Sequence, residues 1–251
     1  MLDHDGVRRT ARALRGAGPE AILQWATGVF AAGRVALCTS LQVDSLVLLD
    51  MAVRIAPSIR ILTLDTGRLP EETYSLIDTV RERYAVGIEV VVPDTNELQD
   101  LVRQHGLNPF YKSVDLRLAC CDVRKGRPLA RALQGLDAWI TGVRREQSST
   151  RAQVEVIELD HEHPGVIKLN PLAHWTDDQV WAYARAHDVP LHPLYAHGYT
   201  SIGCAPCTRP IGPGEDVRAG RWWWEHSDVP KECGLHMNLR GPWVQDRAGG
   251  A

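Results

Sequence analysis

Cys120 and Cys121 are adjacent in the run ACCDVRKGRPL, and Cys204 and Cys207 form a C-x-x-C in the loop SIGCAPCTRP. Two thiol pairs gathered by a fold can supply four thiolates to one metal centre. Neighbouring side chains diverge, so an adjacent pair is a poor clip for tetrahedral zinc. A larger centre with separate iron atoms accepts it more easily. Spacing favours a shared site and leaves the metal open. The alternative is a vicinal pair that only packs, beside a separate zinc or redox C-x-x-C.

Cys233 stands apart in KECGLHMN, with Lys231 before it and His236 three residues after it. Nearby cations favour the thiolate, the nucleophilic form of cysteine. A nucleophile and a surface thiol without a role are equally compatible with these local features. Cys38 ends a buried strand and reads as an inert core thiol.

Loop cations recur beside the thiols. Lys125 follows the vicinal pair, Arg144 and Arg145 follow a strand ending at Gly142, and Arg151 lies just beyond. Arg209, Arg218 and Arg221 follow the C-x-x-C. A guanidinium beyond a strand end is placed to grip a phosphate or sulfate with its planar fork. The turn TSLQVDS (39–45), containing Ser40, could cradle an anion with backbone N–H groups at a helix start, although it is no Walker A loop. His161 and His163 have ligand-like spacing but read as a polar turn, and Trp222, Trp223 and Trp224 read as packing.

These residues need a scaffold, and the pattern supplies one. Residues 34–38, 58–65 and 87–93 read as strands, separated by helical stretches at 46–56 and from Pro70 onward. A helix over 19–30 carries Ile22, Ala26, Val29 and Phe30 on one face. Further strands are expected over 136–142, 154–160 and 166–172, then a helix with Thr176 as N-cap. Strand and helix in alternation predict an α/β fold with a mostly parallel sheet. Beyond Pro190 loop geometry dominates.

Composition narrows the class. The chain has 251 residues, 44% apolar and 24% charged, enough for a packed core. A net charge of −3 gives no nucleic-acid signal, and six cysteines are too sparse for a disulfide scaffold. The longest apolar run, Val180 to Ala184, is far too short for a membrane span, and the N-terminus lacks the apolar stretch of a signal peptide. A cytoplasmic location is expected.

Five segments together carry a resemblance: LDTGRLPEETY (64–74), CCDVRKGRPL (120–129), WITGVRREQSSTR (139–151), GCAPCTRPIGPGEDVRAGRWWWE (203–225) and KECGLH (231–236). In type and order they resemble the assimilatory phosphoadenylyl/adenylyl sulfate reductases. The resemblance implies an adenine-nucleotide α-hydrolase-like, PP-loop-type three-layer sandwich. It implies that Cys120, Cys121, Cys204 and Cys207 hold a [4Fe–4S] cluster, the version of the family that uses adenylyl sulfate. It also implies Cys233 as nucleophile, Lys125, Arg151, Arg218 and Arg221 as phosphosulfate cations, and Thr66 and Gly142 near the nucleotide. The turn with Ser40 departs from the family by lacking a glycine found in many relatives.

On that basis the expected organisation is a polar leader (1–18), an α/β reductase domain (19–225) and a mobile C-terminal segment (226–251) carrying Cys233. The expected reaction is reduction of adenylyl sulfate to sulfite and AMP through an S-sulfocysteine, with His236 helping to keep Cys233 ionised or serving structure. No second C-x-x-C unit follows Cys233, so the donor is expected to be a separate thioredoxin. No nucleic-acid or membrane partner is expected, and a homo-oligomer is compatible. The alternatives are an ATP-dependent sulfur-transfer or pyrophosphatase-type enzyme on the same fold, and a zinc-stabilised binding module.

Overall fold

The computed structural model describes residues 4–226 and 231–232. Six strands form one sheet: β1 (Val35–Thr39), β2 (Arg60–Leu64), β3 (Glu89–Val91), β4 (Ala138–Ile140), β5 (Ile157–Leu159) and β6 (Ile167–Leu169), in spatial order β3-β2-β1-β4-β6-β5. All pairings are parallel except β5 with β6. The expected strands are all present: β1 is shifted by one residue and the others are trimmed where the flanking residues turn into loops.

Alternation sorts each strand between two faces. Leu37, Ile61, Ala138, Ile140, Ile167 and Leu169 face one core, and Ala36, Leu62 and Trp139 face the other. Helices cover both faces, which makes three layers. On the first face lie α1 (His4–Leu14), α2 (Pro19–Val29), α3 (Val43–Ile55), α4 (Glu71–Tyr84) and α8 (Asp177–Ala186). Leu46, Val47, Leu48, Leu49 and Met51 of α3 are wholly buried, so this helix is apolar almost all round because neighbours enclose it. Thr176 caps α8 through a reciprocal bond pair with Gln179.

Two expectations change. The segment read as a polar leader contains α1, whose Val7 and Ala11 enter the main core. Its many charges hid a narrow apolar stripe. The stretch between β3 and β4, left unassigned by the periodicity, holds α5 (Thr95–His105), α6 (Val114–Cys121) and α7 (Arg127–Ala132). A π-helical turn, Asp122–Gly126, joins α6 to α7. Thus Cys120 and Cys121 close a helix and Lys125 sits in a widened turn just beyond, a feature often found at functional sites.

Candidate active site

The sheet order reverses at β1, where β2 departs to one side and β4 to the other. A crevice is expected beyond the carboxyl ends of strands at such a point. A cavity of about 580 Å³ lies there, lined by residues that follow β1, β2 and β4.

The turn after β1 resolves its missing glycine in an unusual way. Leu41 itself takes a left-handed backbone, φ +57°, with its side chain wholly buried. Burying a leucine side chain, worth about 1.5–3 kcal/mol, offsets about 1–2 kcal/mol of left-handed strain. Hydroxyls complete the turn: the Ser40 N–H donates to Ser45 Oγ at 3.2 Å and the Leu41 N–H to Thr39 Oγ1 at 3.1 Å. Ser40 is exposed and lines the cavity.

Gly142, just beyond β4, permits a close approach. A Cβ there would lie 2.9 Å from the Ser45 nitrogen and 3.1 Å from its Cα. Those are backbone atoms of the first turn of α3 and cannot swing away. Gly142→Ala is expected to overpack the crevice at a cost of about 1–3 kcal/mol. Thermal denaturation should then show a melting point lower by roughly 2–12 °C, and titration should show weaker nucleotide binding. An unchanged melting point and affinity would show that the contact is slack.

Arg144 lines the cavity as the sequence suggested, but carboxylates already hold it there. It is buried and engages Asp44 and Asp177, the latter at 2.8 Å, together with the Trp175 carbonyl at 3.1 Å. Burial pushes the Asp44 carboxyl upward while Arg144 opposes the shift. Arg144 therefore pins the loop after β4 to the starts of α3 and α8. Arg145 donates to the Val154 carbonyl and pairs with Glu155 at 3.2 Å, and Arg209 pairs with Glu215 at 2.7 Å. Neither lines the cavity. Both follow site-forming motifs in sequence, but their neighbours in space are carboxylates on the far sides of those loops.

Thr66, Gly142, Lys125, Arg151, Arg218 and Arg221 do line the cavity. Arg151 and Arg218 have an unforeseen partner: Glu232, whose carboxylate accepts from Arg151 at 2.8 Å and from Arg218 at 3.2 Å. Sequence gave no sign of this pairing beyond Glu232 standing next to Cys233. Cys233 and His236 themselves lie outside the described residues.

The other four cysteines come together. Cys120, Cys121, Cys204 and Cys207 are all buried and line one small cavity with Arg68, Arg117, Arg124, Lys125, Phe110 and Pro206. The loop after β2 fixes the C-x-x-C: Ala205 N–H donates to the Arg68 carbonyl at 2.8 Å, and Thr66 Oγ1 lies 3.2 Å from Cys204 Sγ. Arg124 bridges the two halves by donating to the Thr66 carbonyl at 2.6 Å. Trp222 packs on the thiols, with the Arg117 and Arg221 guanidiniums 4.5 and 4.6 Å from its ring centre. Trp224 packs on Phe110, whereas Trp223 is partly exposed. Burial raises the thiols of Cys120 and Cys207, the latter to about 12. Among the described residues, no three His, Cys, Asp or Glu side chains converge as a single ion would require. His163 instead pairs with Asp160 at 2.9 Å in the turn between β5 and β6. Cys38, expected as an inert core thiol, is half-buried against the core on the other sheet face and lines the crevice, and burial pushes it up to about 12. Lys125 lines both cavities and is the residue common to the thiol pocket and the crevice.

Among the described residues, no helix is long and apolar enough to cross a membrane. Residues 34–210 match the phosphoadenosine phosphosulfate reductase domain. The chain is 50% identical over 218 residues to an adenosine 5'-phosphosulfate reductase of Burkholderia cepacia, covering 87% of this chain and 86% of that one. It is 52% identical over 208 residues to one of Allochromatium vinosum, covering 83% and 80% respectively. A crystal structure of phosphoadenylyl-sulfate reductase from Candida auris superposes with a TM-score of 0.71 at 29% identity, over 83% of this chain and 98% of that one. The chain belongs to the phosphoadenosine phosphosulfate reductase domain family, alongside the adenosine 5'-phosphosulfate reductases.

Proposed function

We propose that this protein reduces adenylyl sulfate to sulfite and AMP, as part of sulfate assimilation. The observation that carries the reading is the junction at Lys125, where a crevice able to take a nucleotide meets a pocket of four buried thiols. AMP linkage turns sulfate into an electrophile with a good leaving group. The Cys233 thiolate attacks the sulfur, a sulfur–sulfur bond forms, and AMP leaves with the electron pair of the broken sulfur–oxygen bond. A dithiol protein of the thioredoxin type then attacks Cys233 and displaces sulfite. Its second thiol closes a disulfide and returns Cys233 as a thiolate, so the two electrons come from that partner. Such thiol traffic suits a reducing compartment, the cytoplasm.

Thiolate and substrate are both anionic, and Lys125 and Arg221 offset the repulsion and stabilise charge growing on the leaving phosphate. The four pocket thiols suit a [4Fe–4S] cluster better than a single zinc ion. An adjacent pair is a poor clip for one tetrahedral ion, the four thiols line one cavity, and Arg68, Arg117, Arg124 and Lys125 around them would offset the charge of four thiolates. When bound, the cluster would supply structural and electrostatic support beside Lys125. Arg124 and Thr66 hold the two thiol-bearing segments in reach of each other.

The test is a single turnover without donor. The iron-loaded protein is mixed with adenylyl sulfate or its 3′-phosphorylated analogue, and the protein is examined by mass spectrometry. A sulfite-equivalent adduct on Cys233, formed at least about tenfold faster with adenylyl sulfate, is the expected result; tenfold corresponds to about 1.4 kcal/mol. An adduct elsewhere, or none, refutes the nucleophile assignment.

A further inference from the structure

Two consecutive residues just before Cys233 are held by three guanidiniums from separate parts of the fold. The Glu232 carboxylate is only 3% exposed. It accepts from Arg151 Nε at 3.2 Å and Nη2 at 2.8 Å, from Arg218 Nη2 at 3.2 Å, and from the hydroxyls of Ser148 and Thr150 at 3.2 and 3.3 Å. The Glu232 carbonyl accepts from Arg117 Nη1 at 2.6 Å. Arg117 is itself clamped by both oxygens of Glu225, each at 3.0 Å. The Lys231 carbonyl accepts from Arg218. Burial alone would raise the Glu232 carboxyl, yet Arg151 and Arg218 outweigh it and hold the group below its usual range.

A buried carboxylate costs free energy unless partners satisfy it. Here it is fully engaged at the edge of the 580 Å³ crevice, which it also lines. Ser148, Thr150 and Arg151 belong to the loop after β4, Arg218 to the loop after the C-x-x-C, and Arg117 to α6. The two loops also line the crevice, and Arg117 lines the thiol pocket. Cys233 follows this anchorage directly in sequence.

We propose that Glu232 is a positioning residue for the reaction of Cys233: its carboxylate, seated on Arg151 and Arg218, fixes the point at the crevice edge from which the chain runs into the nucleophile. This rests on the reading of Cys233 as the attacking thiol. It also reassigns Arg151 and Arg218, which then serve the anchorage of the segment as well as the charge of the crevice.

The experiment compares the parent with Glu232→Gln, which keeps the shape and removes the charge, both as the full iron-loaded chain. Adduct formation on Cys233 is timed in a single turnover with adenylyl sulfate, and AMP affinity is titrated separately. Misplacing a reacting group by an ångström costs roughly a hundredfold in rate, and that is the slowing expected for Glu232→Gln. AMP affinity should not fall by more than about threefold, since removing a negative charge from the crevice lining does not weaken binding of an anion. A Cys233 rate within about threefold of the parent overturns the proposal. So does a loss of AMP affinity equal to the loss of rate, because that describes a collapsed crevice and not a displaced segment. If Glu232→Gln does not fold, Glu232→Asp decides, with the charge kept and the seat withdrawn by one methylene. A slowing of roughly tenfold or more supports the anchorage, and an unchanged rate refutes it. A parent protein that forms no adduct on Cys233 refutes the nucleophile reading first, and that outcome is visible without any variant.

Discussion

Serine in place of Cys204 is expected to give a protein with less than about a tenth of the parent's iron and acid-labile sulfide, and with no sulfite formation. A serine oxygen is a hard ligand and stays protonated where a thiolate would bind iron. Cys204 is also central to its loop. Its carbonyl accepts from the Cys207 N–H at 2.9 Å and from Thr208 Oγ1 at 3.0 Å, and its sulfur meets Thr66 Oγ1. Serine preserves the backbone bonds, so loss of the metal is the effect being measured. A group that binds only the folded state at a hundred times its dissociation constant stabilises it by about 2.7 kcal/mol. Its loss should lower the melting temperature by roughly 5–10 °C in a chain of this size. Cys38→Ala is the control: that thiol lies in the other core and should leave the iron content unchanged. Full iron retention in Cys204→Ser would refute the four-thiol site.

Replacing Arg221 by methionine should lower kcat/KM for sulfite formation about 10²- to 10³-fold, the range measured when one preorganised donor is removed from a developing charge. Arg221 is buried, stacked near Trp222, and lines the crevice. Gly203 makes room for it, since a Cβ there would sit 2.3 Å from Arg221 Nη2. Arg221→Lys should recover little, because an ammonium neither stacks on the indole nor presents a planar fork. Iron content serves as the check on integrity. Retained iron with lost turnover places the effect on the substrate's charge, whereas turnover within about threefold of the parent would remove Arg221 from the mechanism.

The fold was largely legible because its central strands are short apolar runs bounded by turns, and α3 and α8 carry clear period and capping signals. Helices α5 to α7 were not. Their buried faces are narrow, α5 and α6 enter a cluster of thiols and aromatics while α7 packs Leu129 on the other sheet face, and a π-turn breaks the regular period at Asp122–Gly126. Helix α1 was read as a leader for a similar reason: two side chains in the core, Val7 and Ala11, do not make a strong stripe. The grouping of the four thiols followed from their pairing in sequence. The cations were harder, since a local reading cannot tell which arginines meet carboxylates in space. Arg144, Arg145 and Arg209 turn to Asp44, Glu155 and Glu215. Glu232 escaped notice because its partners lie 14 and 81 residues away.

The separation of the two thiol pairs bears on how the protein is made. Cys204 leaves the ribosome 83 residues after Cys121. At 5–20 residues per second, the vicinal pair waits roughly 4–17 s for its counterpart. Strands β4 to β6 and α8 must emerge during that interval, and the C-x-x-C can dock only on a loop already ordered by β2. During this window Cys120 and Cys121 are nascent thiols without their pocket. Any factor that protects or fills the four-thiol pocket would therefore have to act after Cys207 has emerged.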